Sequence, residues 1–385
     1  MSAGLVRGSV AVVGVAESDL GQVAPGMSPI DLMAQATGRA LEDCGLALSD
    51  IDGIFSASAQ ARFAPMMLAE YLGIQPRYFD GTQVGGSSFM SHLAHAQLAI
   101  QSGLCEVALI AYGSTQRSVS RSAASPPDPN PYEMPFRPLL PTAAYALAAS
   151  RHMHEYGTTR EQLAEVAVAA RQWALLNPAA WEKQPLSIDE VLGARMVSWP
   201  LTVRDCCLVS DGGGAMLVTS AARARTLRRK PVHVLGIGES LGHNSISNMR
   251  DLTVTPARES GRLAFERAGL GPRDVKMLSL YDAFTLTPIL FLEDLGFCPK
   301  GEGGRFVAGG AIAPGGRLAV NTNGGGLSYC HPGMYGLLAM IEAVRQVRGE
   351  CGARQIAGCD VSLAHGNGAV LSSQCTVLFG GPDTV

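Results

Sequence analysis

Three segments of this chain set titratable side chains among glycines. The first is Tyr281-Asp282-Ala283-Phe284-Thr285, just after an apolar run that reads as a strand. The second runs from Asn321 to Gly336 and carries Gly324, Gly325 and Gly326, then Tyr329, Cys330 and His331. The third, His365-Gly366-Asn367-Gly368, follows the apolar stretch Asp360–Leu363. Histidine titrates near neutral pH, so His331 and His365 form a natural acid/base pair. The other six histidines lack such settings and read as structural. Four glycine clusters stand out: Gly85–Ser88, Asp211–Gly214, Gly324–Gly326 and Gly366–Gly368. None spells a P-loop, and none has the strand–GxGxxG–helix setting of a dinucleotide site. Glycines at the starts of helices let the backbone come close and leave N–H groups pointing into a site. Such donors hold an oxygen as it gains negative charge. Asp211–Gly214 fits tight packing between sheets better than binding.

An internal repeat must position these segments. Ala40, Glu42, Gly45, Leu46 and Asp50 recur as Ala264, Glu266, Gly269, Leu270 and Asp274, at one constant offset, and Ile51 faces Val275. In each copy a helix (Ile30–Cys44; Glu259–Ala268) ends at a glycine suited to a left-handed cap. An aspartate then leads into a strand, Gly53–Ser58 or Lys276–Tyr281. A repeat this long means a duplicated α/β domain and not a solenoid. Residues 1–225 form the first half and residues 226–385 the second. The first half closes after the strand Gly214–Val218, and the second opens on the strand Val232–Gly238. Within the first half lies an insertion over about residues 116–199. It is rich in proline at the start (Pro126, Pro127, Pro129, Pro131, Pro135, Pro138, Pro141) and then helical. Insertions of this length often cover active sites.

Composition narrows the function. With 47% hydrophobic and 16% charged residues, the chain is globular and not disordered. A net charge of −3, with no basic run interleaved with aromatics, points away from nucleic acid. The basic stretch Arg223–Lys230 reads as a solvated linker between the halves, or as a contact for phosphates. No run of about 18 apolar residues predicts a membrane span. The short apolar run Val10–Val15 reads as a buried strand and not as a signal sequence. Nine scattered cysteines without ligand-like spacing read as free thiols of a reducing cytoplasm, with no metal site.

The glycine-rich segments resemble the thiolase family. Asn323-Gly-Gly-Gly-Leu-Ser followed by His331-Pro-Gly-Met-Tyr-Gly is similar to its GHPxGxxG loop. Tyr281–Thr285 is similar to its asparagine- or histidine-bearing loop, and His365-Gly-Asn-Gly stands where the family has the Cys-x-Gly of its acid/base cysteine. The resemblance spans nearly the whole chain and implies a thiolase fold. Two duplicated βαβ-rich halves would form a layered α-β-α-β-α core with a loop-domain insertion. It also implies an acyl-CoA substrate, with coenzyme A as part of the substrate and no further cofactor. Gly85, Ser87, Asn323, Gly325, Gly326 and Gly366 then become candidate substrate-binding positions.

One departure decides the chemistry. Thiolases carry a nucleophilic cysteine in Cys-x-Ser-Gly at the start of a buried helix, and here that position is Gly85. A glycine forms no acyl-enzyme, and Ser87 and Ser88 have no evident base. The cysteine-less members resemble steroid side-chain aldolases, which cleave a β-hydroxyacyl-CoA to a ketone and a shorter acyl-CoA. Their signature of two tyrosines maps onto Tyr281 and Tyr329, with Tyr335 close by. Because a phenol has a reference pKa of about 10, it needs a relay to act as a base. Tyr281, Tyr329, His331 and His365 are thus the expected catalytic set. Two alternatives remain at this point: a thiolase using Cys330 as a displaced nucleophile, and a non-catalytic lipid-CoA-binding subunit. The resemblance further implies a homodimer and a separate small OB-fold, zinc-ribbon accessory protein.

Overall fold

The repeat unit is built twice from the same local rules. In the first copy the helix Pro29–Cys44 opens on a capping box: Ser28 Oγ accepts the Asp31 N–H at 3.2 Å, and Asp31 Oδ2 accepts the Ser28 N–H at 2.8 Å. It closes on Gly45 at φ 79°, a left-handed conformation that favours glycine. In the second copy the helix Ala257–Ala268 closes on Gly269 at φ 61°. One tight turn follows each helix. Asp50 Oδ2 accepts the Ala47 N–H, and Asp274 Oδ2 accepts the Gly271 N–H, both at 2.8 Å. The matched aspartates are therefore turn caps, which is why they recur at the same distance from the glycine.

The computed structural model describes residues 4–120 and 130–385. Pro126, Pro127 and Pro129 lie outside the described residues. The strands among the described residues are β1 (Val10–Glu17), β2 (Gly53–Ser56), β3 (Tyr78–Asp80), β4 (Val107–Ser114), β5 (Met196–Ser198), β6 (Leu201–Thr202), β7 (Gly212–Ser220), β8 (Val232–Leu241), β9 (Met277–Leu280), β10 (Ala319–Val320), β11 (Val361–Gly368) and β12 (Ser373–Gly380). Ten of them form one hydrogen-bonded order, β3-β2-β4-β7-β1-β8-β12-β11-β9-β10, while β5 and β6 pair separately. The order is a palindrome. β2 runs parallel to β3 and β4 on one side, as β9 runs parallel to β10 and β11 on the other. The halves join where β1 meets β8 through two residue pairs, Ala11↔His233 and Val12↔Val232.

Layering follows from which helix faces are apolar. The helix Gly336–Arg348 buries nearly every residue, including Leu337, Leu338, Met340 and Ile341. A helix buried on nearly all sides, its Glu342, Gln346 and Arg348 included, lies between two other layers. It and the helix Ser88–Gln101 touch strands of both halves, so they form the middle layer. The helices Pro29–Cys44 and Ala257–Ala268 cover the outer faces of the two half-sheets, completing the α-β-α-β-α stack. Burying each large aliphatic side chain of the middle layer contributes about 1.5–3 kcal/mol.

Two arginines of the basic stretch are tied to the first half by ion pairs. Arg223 pairs with Asp50 at 2.8 Å and Glu106 at 3.2 Å, and Arg229 pairs with Asp43 at 2.8 Å. These carboxylates lie around the entry to β2, at the opposite end of that strand from the loop that follows it. The glycines of Asp211–Gly214 are packing positions, as expected. A Cβ on Gly213 would lie 2.0 Å from the Tyr112 carbonyl oxygen, and one on Gly214 would lie 2.7 Å from Ile341 Cδ1.

Candidate active site

The parallel strand β9 ends at Leu280, and its neighbour β11 delivers Tyr281 to the site: the Tyr281 N–H donates to the His365 carbonyl at 3.0 Å. The Tyr281 hydroxyl then collects three partners. It lies 3.2 Å from His331 Nε2, donates to the Gly333 carbonyl at 3.1 Å, and accepts the Tyr335 N–H at 3.2 Å. The Tyr281 ring meets His331 and Tyr335 edge-on, at centroid distances of 5.6 and 5.8 Å. His331 and Tyr335 stack on each other. Tyr281 and Tyr335 are buried, and burial raises both phenols well above their ordinary pKa.

Asp282, which sequence reasoning passed over, holds the glycine loop. Its carboxylate accepts the N–H groups of Gly326 at 2.6 Å and Leu327 at 3.2 Å. A Cβ at Gly325 would lie 2.0 Å from Asp282 Oδ2, so only glycine fits there. Burial pushes the Asp282 carboxyl up to about 7, with the two N–H bonds pulling the other way. Its one signal in the sequence was its place beside Tyr281. The loop is also clamped from outside. Trp181 and Glu182 of the insertion donate their N–H groups to the carbonyls of Tyr329 and Ser328 at 2.9 and 3.1 Å. Arg171 Nε reaches Ser328 Oγ at 3.0 Å, and the His331 N–H donates to Ser210 Oγ at 2.9 Å.

Several expectations change here. Tyr329 does not join the cluster. The five-residue π-turn Gly325–Tyr329 swings its hydroxyl onto Glu17 Oε1 at 2.9 Å, where Arg345 completes an ion pair with the same carboxylate. Burial opposes charge on Glu17, but Arg345 and the Tyr329 hydroxyl together outweigh it and hold the carboxyl below its ordinary value. The tyrosine beside Tyr281 is Tyr335. His365 lies inside β11 and not in a loop after it. Its ring nitrogens bind Thr376 Oγ1 and Gln374 Oε1, both at 2.9 Å, and burial lowers its pKa to about 3. That ring is locked and neutral, and it reaches Tyr281 only through its own carbonyl. The expected pairing of His331 with His365 therefore has no geometric support. The strand continues through Gly366 and Gly368 because they pack tightly: a Cβ at Gly366 would lie 3.0 Å from Ser87 Cα.

The donors of the Gly324–Gly326 loop are likewise already engaged. Gly325 N–H binds Asn323 Oδ1 at 2.9 Å, and Gly326 N–H binds Asp282. Asn323 Oδ1 also accepts the Tyr335 hydroxyl at 3.0 Å, and Ser87 Oγ pairs with Ser373 Oγ at 2.9 Å. At Gly85, φ is 82°, and a Cβ would lie 2.6 Å from the Ala369 amide nitrogen. At Gly86 a Cβ would lie 2.1 Å from Tyr281 Cε2, so the tyrosine ring takes the space a side chain would need. Cys330 is fully buried against Ser210 Oγ at 3.1 Å, and burial pushes its thiol up to about 12. A thiolate nucleophile is not prepared there.

Two mirrored half-sheets with a histidine loop and a strand-end tyrosine at their middle layer define a protein of the thiolase fold. Residues 238–381 match the family described as Thiolase C-terminal domain-like. A 17-hydroxy-3-oxo-4-pregnene-20-carboxyl-CoA lyase of Mycobacterium tuberculosis is 33% identical, over 90% of this chain and 93% of its own length. An acetyl-CoA acetyltransferase of Methanothermobacter thermautotrophicus is 32% identical, over 96% and 99%. The solved structure "Ltp2-ChsH2(DUF35) aldolase" superimposes with a TM-score of 0.89 at 30% identity, covering 98% of this chain and 99% of that one. The chain belongs to the thiolase superfamily, in the branch that holds the sterol-carrier-protein thiolases and the steroid side-chain aldolases.

Proposed function

We propose that this protein is a carbon–carbon lyase that cleaves a β-hydroxyacyl-CoA by retro-aldol chemistry to a ketone or aldehyde and a shorter acyl-CoA. The observation that carries the reading is the Tyr281 phenol. Its ring fills the space beside Gly86, and its hydroxyl meets His331 Nε2 at 3.2 Å. Burial makes a standing phenolate costly, so the phenol works as a relay. The substrate's β-hydroxyl passes its proton to the Tyr281 oxygen as Tyr281 hands its own to His331. The electron pair of the C–C bond moves to the α-carbon and becomes a thioester enolate, while the β-carbon becomes a carbonyl. The proton held on His331 returns through Tyr281 to the α-carbon. Oxygen loses one proton and carbon gains one, so the step needs no oxidant and no cofactor beyond the CoA that the substrate carries.

The lyase and aldolase among the relatives support this chemistry, and the pregnene name of one supports a steroid or similar lipid side chain as the acyl group. The acetyltransferase relative supports a thiolase reaction instead. The missing room for a side chain at Gly85 and the buried Cys330 thiol weigh against it. The ChsH2(DUF35) component of the similar aldolase structure supports a separate accessory chain, for which an OB-fold, zinc-ribbon protein is the candidate. Exposed Phe63, Met66, Met67 and Tyr71, beside exposed Phe79 on the edge strand β3, support a homodimer. Among the described residues no helix is long and apolar enough to cross a membrane. The free thiols support a reducing cytoplasm.

The test gives purified protein, alone and with the accessory chain, a β-hydroxyacyl-CoA in one reaction and a β-ketoacyl-CoA with free CoA in another. Mass spectrometry reads the products. Release of a ketone or aldehyde from the first, without added CoA, is the expected result. Cleavage of the second alone would overturn the lyase reading.

A further inference from the structure

The enolate in this mechanism needs a hydrogen-bond donor, and the Gly324–Gly326 loop and Gly366 do not supply one. The N–H groups of Gly325, Gly326 and Leu327 bind Asn323 and Asp282, and Gly366 lies in the β11–β12 ladder. Gln116 stands apart from these. It follows β4 and Thr115, where the insertion begins, and it is 4% exposed. Its neighbours are all held: Thr115 exchanges hydrogen bonds with Gln60, and the N–H groups of Arg117 and Ser118 bind Asp211 Oδ1 at 2.7 and 3.0 Å. Among the described residues no group hydrogen-bonds to the Gln116 side-chain amide. The Gln116 amide atoms are not among the fully enclosed polar atoms that lack a partner, so on a side chain otherwise packed away they face accessible space where a ligand can reach them.

Its location says which ligand. Gly333, at φ 101°, lies between His331 and Tyr335, and a Cβ there would lie 2.6 Å from Gln116 Oε1. The absent side chain at Gly333 is what admits the amide. The carbonyl of the same Gly333 accepts the Tyr281 hydroxyl at 3.1 Å, so the amide reaches the loop that holds the relay. We infer that Gln116 is a catalytic residue of this site, whose side-chain N–H donates to the thioester oxygen as the enolate forms. This rests on the acyl-CoA lyase reading above. A carboxamide suits the task because it is uncharged, always a donor, and held by buried surroundings before the charge develops.

The test compares wild type with Gln116→Met, which keeps the side chain's length and removes both polar atoms. Loss of one such donor is expected to lower kcat about 10²-fold, with KM changed less than about threefold. Infrared difference spectra of bound [1-13C]acetyl-CoA give a readout that a merely structural role would not move. The wild-type thioester carbonyl band should shift to lower frequency on binding, and Gln116→Met should lose much of that shift. A folded Gln116→Met protein with kcat within twofold of wild type, or with an unchanged carbonyl band, would overturn the proposal. If wild type cleaves no β-hydroxyacyl-CoA, the lyase reading falls, and the carbonyl band alone still decides Gln116. If Gln116→Met does not fold, Gln116→Leu takes its place in both measurements, because its apolar side chain cannot donate.

Discussion

The two halves of the molecule share a frame and divide the work. At the offset that matches Gly45 to Gly269, the residues after β2 and after β9 correspond: Ala57 to Tyr281, Ser58 to Asp282, and Gln60 to Phe284. In the first half the polar groups serve their own loops. Ser58 Oγ donates to the Gly113 carbonyl at 3.3 Å, and Gln60 Nε2 donates to Thr115 Oγ1 at 3.0 Å. In the second half the same positions reach across to the histidine and glycine loops. The first half leaves space for the Tyr281 ring at Gly86 and clamps the site from outside with its insertion. Duplication thus supplies two equivalent strand ends, and the side chains after them decide which end becomes chemical.

The largest test of that asymmetry is Tyr281→Phe. The ring still fills the space beside Gly86, but the relay loses its hydroxyl. Removal of a proton-transfer group is expected to lower kcat by about 10²–10⁴-fold, with a melting temperature within a few degrees of wild type. At the matching strand end, Ser58→Ala should leave kcat within about twofold. Equal losses at both positions, read in the same cleavage assay, would break the assignment of chemistry to the second half.

Asp282 gives the next effect, read as stability against pH. Its carboxyl is raised to about 7 in the fold, against about 3.9 in an unfolded chain. Below about pH 4 both states are protonated, and the group adds no pH-dependent penalty. As pH rises from about 4 to about 7 the unfolded chain ionises first, so the folded state loses stability, in total on the order of 4 kcal/mol. Asp282→Asn cannot ionise and should flatten that fall. Part of its own cost, from an amide facing the Leu327 N–H, is the same at every pH. Thermal melts of both proteins between pH 4 and 8 check this; parallel curves would mean that Asp282 ionises in the fold as it does in water.

The frame was legible in the sequence because local rules wrote it twice. A left-handed cap glycine and a turn-capping aspartate each leave a fixed mark, and both recur at one spacing. Tyr281 and His331 were legible because a strand end and a glycine loop advertise them. The partner tyrosine was not. Tyr329 and Tyr335 flank His331 at similar distances, and the choice depends on a π-turn and on Glu17, which lies 312 residues away in the chain. His365 misled because Gly366 and Gly368 read as loop residues, whereas they are strand residues pressed against Ser87 and Val84. Gln116 carried no motif at all, since its setting exists only after the chain folds.

Tyr329→Phe sharpens the choice between the two tyrosines. It removes a hydrogen bond to a charged, ion-paired carboxylate, which should cost about 1.5–3 kcal/mol of stability and leave kcat within about threefold. A kinetic loss as deep as that of Tyr281→Phe would return Tyr329 to the relay.

The smallest effect belongs to Cys330, and it separates the two chemistries of the branch. A thiolase depends on a thiolate, while a relay of phenol and imidazole does not. Cys330 sits two residues after the π-turn's Ser328, with no exposed surface, and its raised pKa keeps it protonated at neutral pH. Alkylating reagents attack the thiolate and need access to it, so iodoacetamide should leave the cleavage rate intact over an hour at pH 7. Cys330→Ala should keep kcat within about twofold, with a cost of about 1 kcal/mol for the small void it leaves. A full loss of activity in both experiments would place the nucleophile on Cys330 and return the protein to the acyltransferases.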